Sequence, residues 1–365
     1  MKIDFTFAVH NHQPVGNFDF VIEQNYRESY EPFISALEKH PGMRAALHYT
    51  GYLWDYLKTE HPDFIERLHE LVERRQVEML GGAYYEAILT VLPERDAVAQ
   101  QQLLKREMEQ FSGSEVNGMW LAERIWEPSL PTIINRGGYK YTFLDESHFH
   151  AAGIPSEDVW GLFRTEDRGE TTVIFPIDKT LRYSIPFALP EKAIEILADL
   201  RDSGVTLATY GDDGEKFGSW PDTYKWVHED GWLENFMTLL ENSDVVNMLL
   251  PREAFAKHVP RSNIYLPCAS YEEMGEWTLP AEAQVTLHHL KNDLKTCDLQ
   301  EKVQPWLRGG FWRQFLAKYE ESGRMYRRML RVSDKVDALK HSKDADVTTI
   351  ERAAKALHRG QANDA

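Results

Sequence analysis

The sequence predicts an α/β protein in which parallel strands form a barrel and a helical segment follows it. Strand-like stretches of alternating apolar and polar residues recur between helix-like stretches, which is typical of repeated βα units. Five predicted strands end in clusters rich in His, Glu, Asp and Trp. Because ligands bind beyond the carboxyl ends of parallel strands, a barrel would gather these clusters at one rim. From residue 281 to residue 365 the pattern is helical and richer in Lys and Arg, so we expect a barrel over 1–280 and a helical segment packed on it.

The elements of the predicted barrel follow in order along the chain. Ile3 to Val9 alternates as a strand does, and Glu31 to Lys39 has apolar residues at helical spacing. Pro62 suits the first turn of the next helix, which leads to a short strand at Val77 to Leu80. The remaining predicted elements are helices at Arg95 to Phe111 and Pro131 to Asn135, and strands at Gly118 to Leu121, Tyr139 to Leu144, Val205 to Tyr210 and Asn263 to Leu266.

Composition and charge narrow the class of function. The 365 residues include 41 Lys and Arg against 58 Asp and Glu, which gives a formal net charge of −17. Nucleic acids and anionic membranes both attract basic surfaces, so we expect neither as a partner. Aromatic residues make up 12% of the chain. Acidic and aromatic side chains together suit a carbohydrate ligand, since sugar faces stack on rings and hydroxyls bond to carboxylates, although a large aromatic core explains the same count.

The sequence contains neither a leader pattern nor a membrane span. The N-terminal stretch MKIDFTFAVHNHQP alternates apolar and polar residues and lacks the apolar run of a signal peptide. No stretch approaches the roughly 20 apolar residues of a membrane helix. The two cysteines are too few for a disulfide framework or a cysteine-based zinc site. We therefore expect a cytoplasmic protein.

Two histidines follow the first predicted strand. His10 and His12 are two residues apart, so both side chains leave the strand on the same face. With a carboxylate as third ligand, such a pair can bind a metal ion. The two rings can equally donate hydrogen bonds to a neutral ligand, or simply be buried and satisfied. The spacing alone leaves these alternatives open.

Carboxylates follow two other predicted strands. Glu123 precedes Arg124, whose positive charge would favour an ionised carboxylate, as a nucleophile requires. Asp212, Asp213 and Glu215 crowd the end of a later strand, and such crowding keeps one carboxyl group protonated as a general acid. A surface Glu–Arg pair and a solvated Asp-Gly turn are the alternatives. An ionised and a protonated carboxyl group about 5 Å apart form the arrangement of a retaining glycosidase.

Taken together, the clusters resemble the signature regions of glycoside hydrolase family 57. The matching segments are His-Asn-His-Gln-Pro, Trp-Leu-Ala-Glu-Arg-Ile-Trp-Glu-Pro, Tyr-Gly-Asp-Asp-Gly-Glu-Lys-Phe-Gly and Ala-Ser-Tyr-Glu-Glu-Met-Gly-Glu-Trp. Within the family, the chain is most similar to the 4-α-glucanotransferase and α-amylase group. The resemblance implies an incomplete (β/α)7 barrel followed by helices, and action on α-glucans or malto-oligosaccharides with retention of configuration. It also implies that neither a cofactor nor a metal ion is needed.

The same resemblance implies roles for individual residues. Glu123 matches the catalytic nucleophile and Asp213 the general acid/base, with Asp212 ranked second as the acid. The second cluster reads Gly-Gly-Ala-Tyr-Tyr-Glu-Ala where relatives often have Phe-Tyr-Glu-Pro, which leaves the role of Tyr84 open. The residues that match substrate-contacting positions of the family are His10, His12, Glu86, Trp120, Glu215, Trp220 and Asp364.

Similar enzymes continue past the last residue of this sequence into Tyr-Trp-His-Gly and a β-sandwich domain. We therefore expect the chain to be the front part of a longer protein, without that β-sandwich. Hydrolase and transferase both fit the motifs. Two alternatives stay open beside them: a metal-dependent carbohydrate hydrolase or deacetylase that uses His10 and His12, and a glucan-binding fragment without activity.

Overall fold

Strands and helices alternate through the first part of the chain, as the sequence predicts. The computed structural model describes residues 1–297, 299–303, 306–342 and 345–364. Within these ranges the strands are β1 Ile3–Asn11, β2 Ala45–Tyr49, β3 Val77–Leu80, β4 Gly118–Met119, β5 Tyr141–Asp145, β6 Phe163–Asp167, β7 Glu170–Ile177, β8 Leu207–Asp213, β9 Val246–Met248 and β10 Ser262–Asn263.

Helices connect the strands and make up the regular structure of the described ranges after residue 263. Those up to residue 257 are α1 Asp19–Asn25, α2 Glu31–Lys39, α3 Gly51–Glu60, α4 Pro62–Glu73, α5 Glu94–Ser112, α6 Leu130–Gly137, α7 Glu146–His150, α8 Lys179–Ser184, α9 Pro190–Asp202, α10 Trp232–Glu241 and α11 Pro251–Lys257. The later ones are α12 Glu272–Trp277, α13 Ala281–Thr296, α14 Gln300–Val303, α15 Phe315–Lys318, α16 Glu320–Lys340 and α17 Val347–Arg359. None of the described helices is both long and apolar enough to cross a membrane.

Seven of the strands curl into a barrel. One sheet pairs β3, β2, β1 and β8 in that order, and another pairs β7, β5 and β4, each with parallel neighbours. A parallel bridge between Gly81 and Met119 connects the strands β3 and β4. On the other side, the backbone N–H of Asp178 donates to the carbonyl of Thr209 at 2.9 Å, beside β7 and β8. This architecture confirms the incomplete seven-stranded barrel, and β6 pairs antiparallel with β7 outside it.

Aromatic side chains pack between the strands and the surrounding helices. Phe7 of β1 and Tyr210 of β8 are register partners whose rings stack 4.4 Å apart, and Phe217 and Phe236 lie around Phe7 at about 6 Å. All four side chains are buried. Each such burial stabilises the fold by about 1.5–3 kcal/mol, so the register of β1 against β8 is strongly fixed.

The register determines which residues meet at the rim. His10 of β1 is the partner of His48 on one side and of Asp213 on the other. The carboxyl ends of β2, β1 and β8 therefore lie side by side. The loops after β3 and β4 follow at the same edge, because both strands run parallel to these three.

The helical segment returns to the barrel through a buried polar cluster, which we call the Asp96 anchor (Asp96, Gln100, Ser333 and Gln361). Ser333 Oγ of α16 donates to Asp96 Oδ2 at 2.6 Å, and Gln361 Nε2 donates to the same oxygen at 2.7 Å. Gln100 Nε2 donates to Gln361 Oε1 at 3.0 Å. All four residues are buried. The anchor fixes the end of α17 and places the residues that follow it at the rim.

Several elements differ from those predicted. Ala45–Tyr49 is a strand that the sequence analysis missed, because all five of its residues are buried and no alternation marks it. The β6–β7 pair was missed as well. The last predicted strand, Asn263 to Leu266, is reduced to Ser262–Asn263. The predicted division at residue 280 stays a prediction.

Candidate active site

The residues predicted for the site converge on the carboxyl rim of the barrel. His10 and His12 stand at the end of β1, and Glu86 follows β3. The other members are Trp120 and Glu123 after β4, Asp213 and Glu215 at the end of β8, Trp220 in the loop beyond it, and Asp364 after α17. Barrel strands thus supply most of the site, and the helical segment supplies one side of it.

Glu123 is held from two directions. Tyr271 Oη donates to Glu123 Oε2 at 2.6 Å, and Asn363 Nδ2 donates to Glu123 Oε1 at 3.4 Å. Ser270 Oγ also donates to the backbone carbonyl of Glu123 at 3.1 Å. Both carboxylate oxygens therefore act as acceptors. Tyr271 and Asn363 lie beyond the barrel strands, so the carboxylate is enclosed by later parts of the chain.

The backbone at Glu123 is strained. Glu123 and Arg124 both lie in the left-handed region, with φ of 51° and 46°, and Glu86 has φ of 51°. Non-glycine residues in this region cost about 1–3 kcal/mol each, and such strain clusters at functional sites. The left-handed turn directs the Glu123 side chain towards Tyr271, whereas Arg124 is buried.

The expected pairing of Arg124 with Glu123 is wrong. Arg124 Nε donates to Asp145 Oδ2 at 2.6 Å, and both side chains are buried. The ion-pair partner of Arg124 is therefore Asp145 and not Glu123. Its guanidinium also lies 4.7 Å from the centre of the Tyr271 ring. Although burial opposes it, the positive charge of Arg124 lowers the pKa of Asp145. Arg124 thus supports the residue that holds Glu123.

Asp212 and Asp213 have different environments. Asp212 Oδ2 accepts a hydrogen bond from Lys216 Nζ at 2.6 Å and lies 3.3 Å from Arg182 Nε. Burial and the neighbouring Asp212 carboxylate raise the pKa of Asp213 to about 7, although Arg124 opposes the shift. Asp213 is therefore partly protonated at neutral pH, whereas Asp212 is held in ion pairs. This contrast supports Asp213 over Asp212 as the general acid.

His10, His48 and Glu86 form a second buried group. His10 Nδ1 lies 2.7 Å from His48 Nδ1, and His10 Nε2 lies 3.4 Å from Glu86 Oε1. Burial lowers the pKa of His10 well below its ordinary value and that of His48 to about 3. Burial raises the pKa of Glu86 to about 8, against the opposing charge of His12. At neutral pH the three groups are thus largely uncharged hydrogen-bonding groups, suited to sugar hydroxyls.

His12 connects the first strand to the last described residue. Its Nε2 lies 2.6 Å from Asp364 Oδ2, and its backbone N–H donates to Glu215 Oε1 at 3.0 Å. Burial lowers the pKa of His12, but the hydrogen bond to Asp364 and the nearby carboxylates outweigh it and raise the pKa to about 9. Burial also raises the pKa of Glu215, against the hydrogen bond from Tyr30. His12 is therefore a cation between two acidic residues.

The two tryptophans differ in access. Trp120 is 1% exposed, and its ring stacks on His10 at 5.1 Å with the planes 6° apart. Trp220 is 38% exposed and lies nearly parallel to Phe187. Trp220 thus has an accessible surface for stacking on a sugar, whereas Trp120 mainly orients His10. Sugar contact by either ring stays a prediction.

A metal ion could be held by a different set from the predicted one. One ligand atom from each of His10, His48 and Glu86 lies within 4.8 Å of the others. His12 faces Thr50 and Asp364 with its two ring nitrogens instead. Two imidazoles and a carboxylate are a zinc ligand set. Here, however, the two Nδ1 atoms are hydrogen-bonded to each other.

Several residues that surround the carboxylates were not predicted from the sequence. His48 was missed together with its strand. Tyr271 lies in the segment Ala-Ser-Tyr-Glu-Glu-Met-Gly-Glu-Trp, and Asn363 precedes Asp364. The sequence assigned no role to either residue. Arg182 and Lys216, which pair with Asp212, come from α8 and the turn after β8. Their pairing depends on tertiary contacts that no local spacing indicates.

Comparisons with known proteins agree with this fold. The family model for glycosyl hydrolase family 57 matches residues 6–267, and that for the alpha-amylase/4-alpha-glucanotransferase middle domain matches residues 310–365. The chain is similar to alpha-amylase 1 of Dictyoglomus thermophilum, with 43% identity over 100% of this chain and 53% of that protein. It is also similar to 4-alpha-glucanotransferase of Thermococcus litoralis, with 40% identity over 92% of this chain and 51% of that protein.

A solved structure gives the same result. The crystal structure of 4-alpha-glucanotransferase from Thermococcus litoralis matches with a TM-score of 0.93 and 38% identity, over 100% of this chain and 55% of that one. The chain thus spans about half the length of these relatives. From the family model and this similarity, the chain belongs to glycosyl hydrolase family 57.

Proposed function

We propose that the chain carries the catalytic site of a retaining enzyme that acts on α-1,4-glucans, with Glu123 as nucleophile and Asp213 as general acid/base. The observation that carries this proposal is the contrast between two carboxyl groups at one rim. Glu123 accepts hydrogen bonds on both oxygens, whereas burial beside Asp212 raises the pKa of Asp213 to about 7. The names of the relatives, an alpha-amylase and a 4-alpha-glucanotransferase, support the substrate class.

In the first step, a Glu123 oxygen attacks the anomeric carbon of the sugar. The bond from that carbon to the glycosidic oxygen breaks, and the oxygen takes the proton of Asp213 as the leaving chain departs. The product is a glycosyl ester on Glu123 and an ionised Asp213. Lys216 and Arg182 neutralise Asp212 beside it, which limits the accumulation of negative charge.

In the second step, Asp213 acts as a base. It removes a proton from a sugar hydroxyl or from water, and the resulting oxygen attacks the anomeric carbon while the bond to Glu123 breaks. Transfer to a sugar makes the enzyme a glucanotransferase, and transfer to water makes it a hydrolase. Two displacements at one carbon retain its configuration.

The surrounding groups bind the sugar and orient the carboxylates. The largely neutral Glu86 and His10 can exchange hydrogen bonds with hydroxyls of the sugar at the cleaved bond. His12, Asp364 and Glu215 form a charged network on the same rim. Tyr271 and Asn363 fix Glu123, and Trp220 offers an apolar surface to a neighbouring sugar.

Incubation of a Glu123→Gln variant with maltoheptaose tests the mechanism. We expect its activity to fall on the order of a thousandfold or more, since the amide cannot form the ester. Exposed Glu157 supplies the matched control, and Glu157→Gln should retain wild-type activity. In the wild type, longer as well as shorter products indicate transfer, and shorter products alone indicate hydrolysis. Full activity of Glu123→Gln would refute the mechanism, and binding without turnover in the wild type would favour a glucan-binding fragment.

A metal-dependent hydrolase is the second candidate, because the ligand atoms of His10, His48 and Glu86 lie close together. The direct hydrogen bond between the two imidazoles favours the first proposal. Metal analysis of the purified protein and assays after chelator treatment separate the two. Activity that survives removal of metal excludes the second candidate, whereas loss with recovery on adding zinc would replace the first.

A further inference from the structure

The left-handed turn that carries Glu123 is packed against the start of α7. Glu123 and Arg124 have φ of 51° and 46°, a conformation that non-glycine residues keep only when their surroundings hold it. The backbone N–H groups of Arg124 and Ile125 donate to carbonyls three residues before them, but neither bond uses the carbonyl of Arg124. Arg124 is only 3% exposed, so this carbonyl needs a donor from the protein.

His148 of α7 faces that carbonyl. Its Nε2 lies 2.8 Å from the carbonyl oxygen of Arg124, and its Nδ1 lies 3.0 Å from the carbonyl oxygen of Asp145. The ring is fully buried. Burial lowers the pKa of His148 below its ordinary value, so at neutral pH the ring carries one proton and one of its nitrogens donates. The Nδ1 contact stays within one turn of the chain, whereas the Nε2 contact joins α7 to the turn at Glu123.

The same end of α7 holds the turn in two further ways. The carboxylate of Asp145, which precedes the helix, accepts from Arg124 Nε at 2.6 Å. Ser147 Oγ donates to the backbone carbonyl of Ser270 at 2.9 Å, and Ser270 Oγ donates to that of Glu123 at 3.1 Å. Contacts from α7 thus reach both peptide carbonyls of the turn, one directly and one through Ser270.

We propose that His148 positions Glu123 by donating from Nε2 to the carbonyl oxygen of Arg124, which fixes the left-handed turn. The inference rests on the proposed function and adds to it a buried residue that acts through the backbone. A held carbonyl fixes the plane of its peptide, and the peptide planes set the direction in which a neighbouring side chain leaves the backbone. Without the bond, the turn can relax towards ordinary φ values, which moves the Glu123 carboxylate away from Tyr271 Oη.

Two variants at His148 test which atom donates. The side-chain nitrogen of glutamine can take the place of imidazole Nε2, whereas that of asparagine takes the place of Nδ1. With maltoheptaose as substrate, we expect His148→Asn to lower kcat about tenfold or more with KM within about twofold, because a buried carbonyl loses its donor. His148→Gln should restore most of kcat. His150 lies on the same helix but faces Ser156 and Glu146, so His150→Asn should leave kcat unchanged.

Three kinetic results would overturn the proposal in an enzyme whose Glu123→Gln variant is inactive. Equal losses of kcat in His148→Asn and His148→Gln would mean that the ring acts by its shape and not as a donor at Nε2. A raised KM with kcat intact would assign His148 to substrate binding. Unchanged kcat in both variants would mean that the turn keeps its geometry without the bond. In each case the catalytic assignment of Glu123 stands.

A spectroscopic measurement that needs no activity separates this proposal from the proposed function. Long-range ¹H–¹⁵N NMR spectra of histidine-labelled wild-type protein show which ring nitrogen is protonated, and the signals of His148 are assigned by their loss in His148→Gln. A proton on Nε2 supports the proposal even if the wild type proves inactive, in which case the proposed function alone fails. A proton on Nδ1 alone overturns the proposal, whether or not His148→Asn folds.

Discussion

Asp212 and Asp213 are neighbours in the chain, yet their surroundings assign them different chemistry. Asp212 lies in ion pairs with Lys216 and Arg182, whereas Asp213 is half-buried beside it, and partial burial together with the Asp212 charge raises its pKa to about 7. The groups whose charges act on Asp213 include Asp212, Arg124, Glu215 and Glu123. A proton at Asp213 is thus favoured by burial and by three carboxyl groups, and opposed by one guanidinium.

The raised pKa of Asp213 predicts a pH dependence of cleavage. A general acid must be protonated, so the plot of kcat/KM on maltoheptaose against pH should have an alkaline limb, in which kcat/KM falls about tenfold per pH unit above the pKa of Asp213. The limb should therefore begin near pH 7. A maltosyl fluoride substrate, whose leaving group needs no proton, serves as control and should not show this limb. If both substrates showed the same limb, the role of Asp213 as general acid would be contradicted. The limb would then report another group, such as Glu86, whose pKa is about 8.

Tyr271 is expected to act as a positioning residue for Glu123. Tyr271→Phe removes one hydrogen bond to the carboxylate but keeps the ring beside Arg124. A hydrogen bond to a charged group is worth about 1.5–3 kcal/mol, so kcat should fall roughly 10- to 100-fold with KM within about twofold.

Tyr183 provides the matched control for this experiment. Its hydroxyl donates to Glu273 and not to Glu123, so Tyr183→Phe should keep kcat within about twofold. A change of KM with kcat intact in Tyr271→Phe would instead assign Tyr271 to substrate binding.

The residue types and strand positions of the site could be predicted from the sequence, but their pairings could not. Spacing correctly indicated that His10 and His12 share a face, and their rings lie 5.9 Å apart and nearly parallel. The partner of Arg124 was wrong, because a left-handed turn at Glu123 cannot be seen in residue types. Tyr271 reaches Glu123 across 148 positions of the chain, and no local pattern encodes such a contact.

At the scale of elements, one amphipathic helix and one buried strand were predicted with their bounds, whereas the buried strand β2 was missed. The helix at Glu31–Lys39 and the strand at Val77–Leu80 have the predicted bounds. The helix has one apolar face, and its period distinguishes it from a strand. β2 has no exposed face, so its sequence AALHY lacks alternation. His48 was missed for that reason.

The Asp96 anchor connects the helical segment to the rim, and its loss should loosen α17. Ser333→Ala removes a buried donor to Asp96, which should lower the free energy of unfolding by about 1–3 kcal/mol. Amide exchange in α17 should become faster, and kcat/KM should fall because Asn363 and Asp364 follow that helix.

Ser112→Ala is the control for the anchor, since Ser112 is only partly buried and bonds to Ser114 within its own turn. It should change neither exchange nor activity. If the rate of amide exchange in α17 is the same in Ser333→Ala as in the wild type, apolar packing alone positions the helical segment.

At the scale of the whole molecule, the acidic residues form two sets, one on the exposed surface and one at the rim of the barrel. The net charge of −17 follows from 58 acidic against 41 basic residues, and many of the acidic residues are exposed. The acidic residues at the rim are different, because Glu86 is buried, Asp213 and Glu215 are half-buried, and the pKa values of all three are raised. Composition alone cannot separate these two sets. Position at the end of a strand identifies the rim set, because a barrel brings the ends of its strands together.

The far ends of the described chain meet at the rim, and this contact should make stability depend on pH. His12 Nε2 and Asp364 Oδ2 lie 2.6 Å apart, and the pKa of His12 is raised from 6.5 to about 9. A raised pKa stabilises the fold fully below the unfolded value of 6.5, and the contribution is lost as the pH rises towards 9. Asp364→Asn should therefore lower the free energy of unfolding at pH 6 on the order of 2 kcal/mol, allowing for the partly exposed carboxylate. In urea titrations, the difference between variant and wild type should shrink towards zero above pH 9. A difference that is equal at both pH values would mean that hydrogen-bond geometry, and not the charge of His12, holds the two ends together.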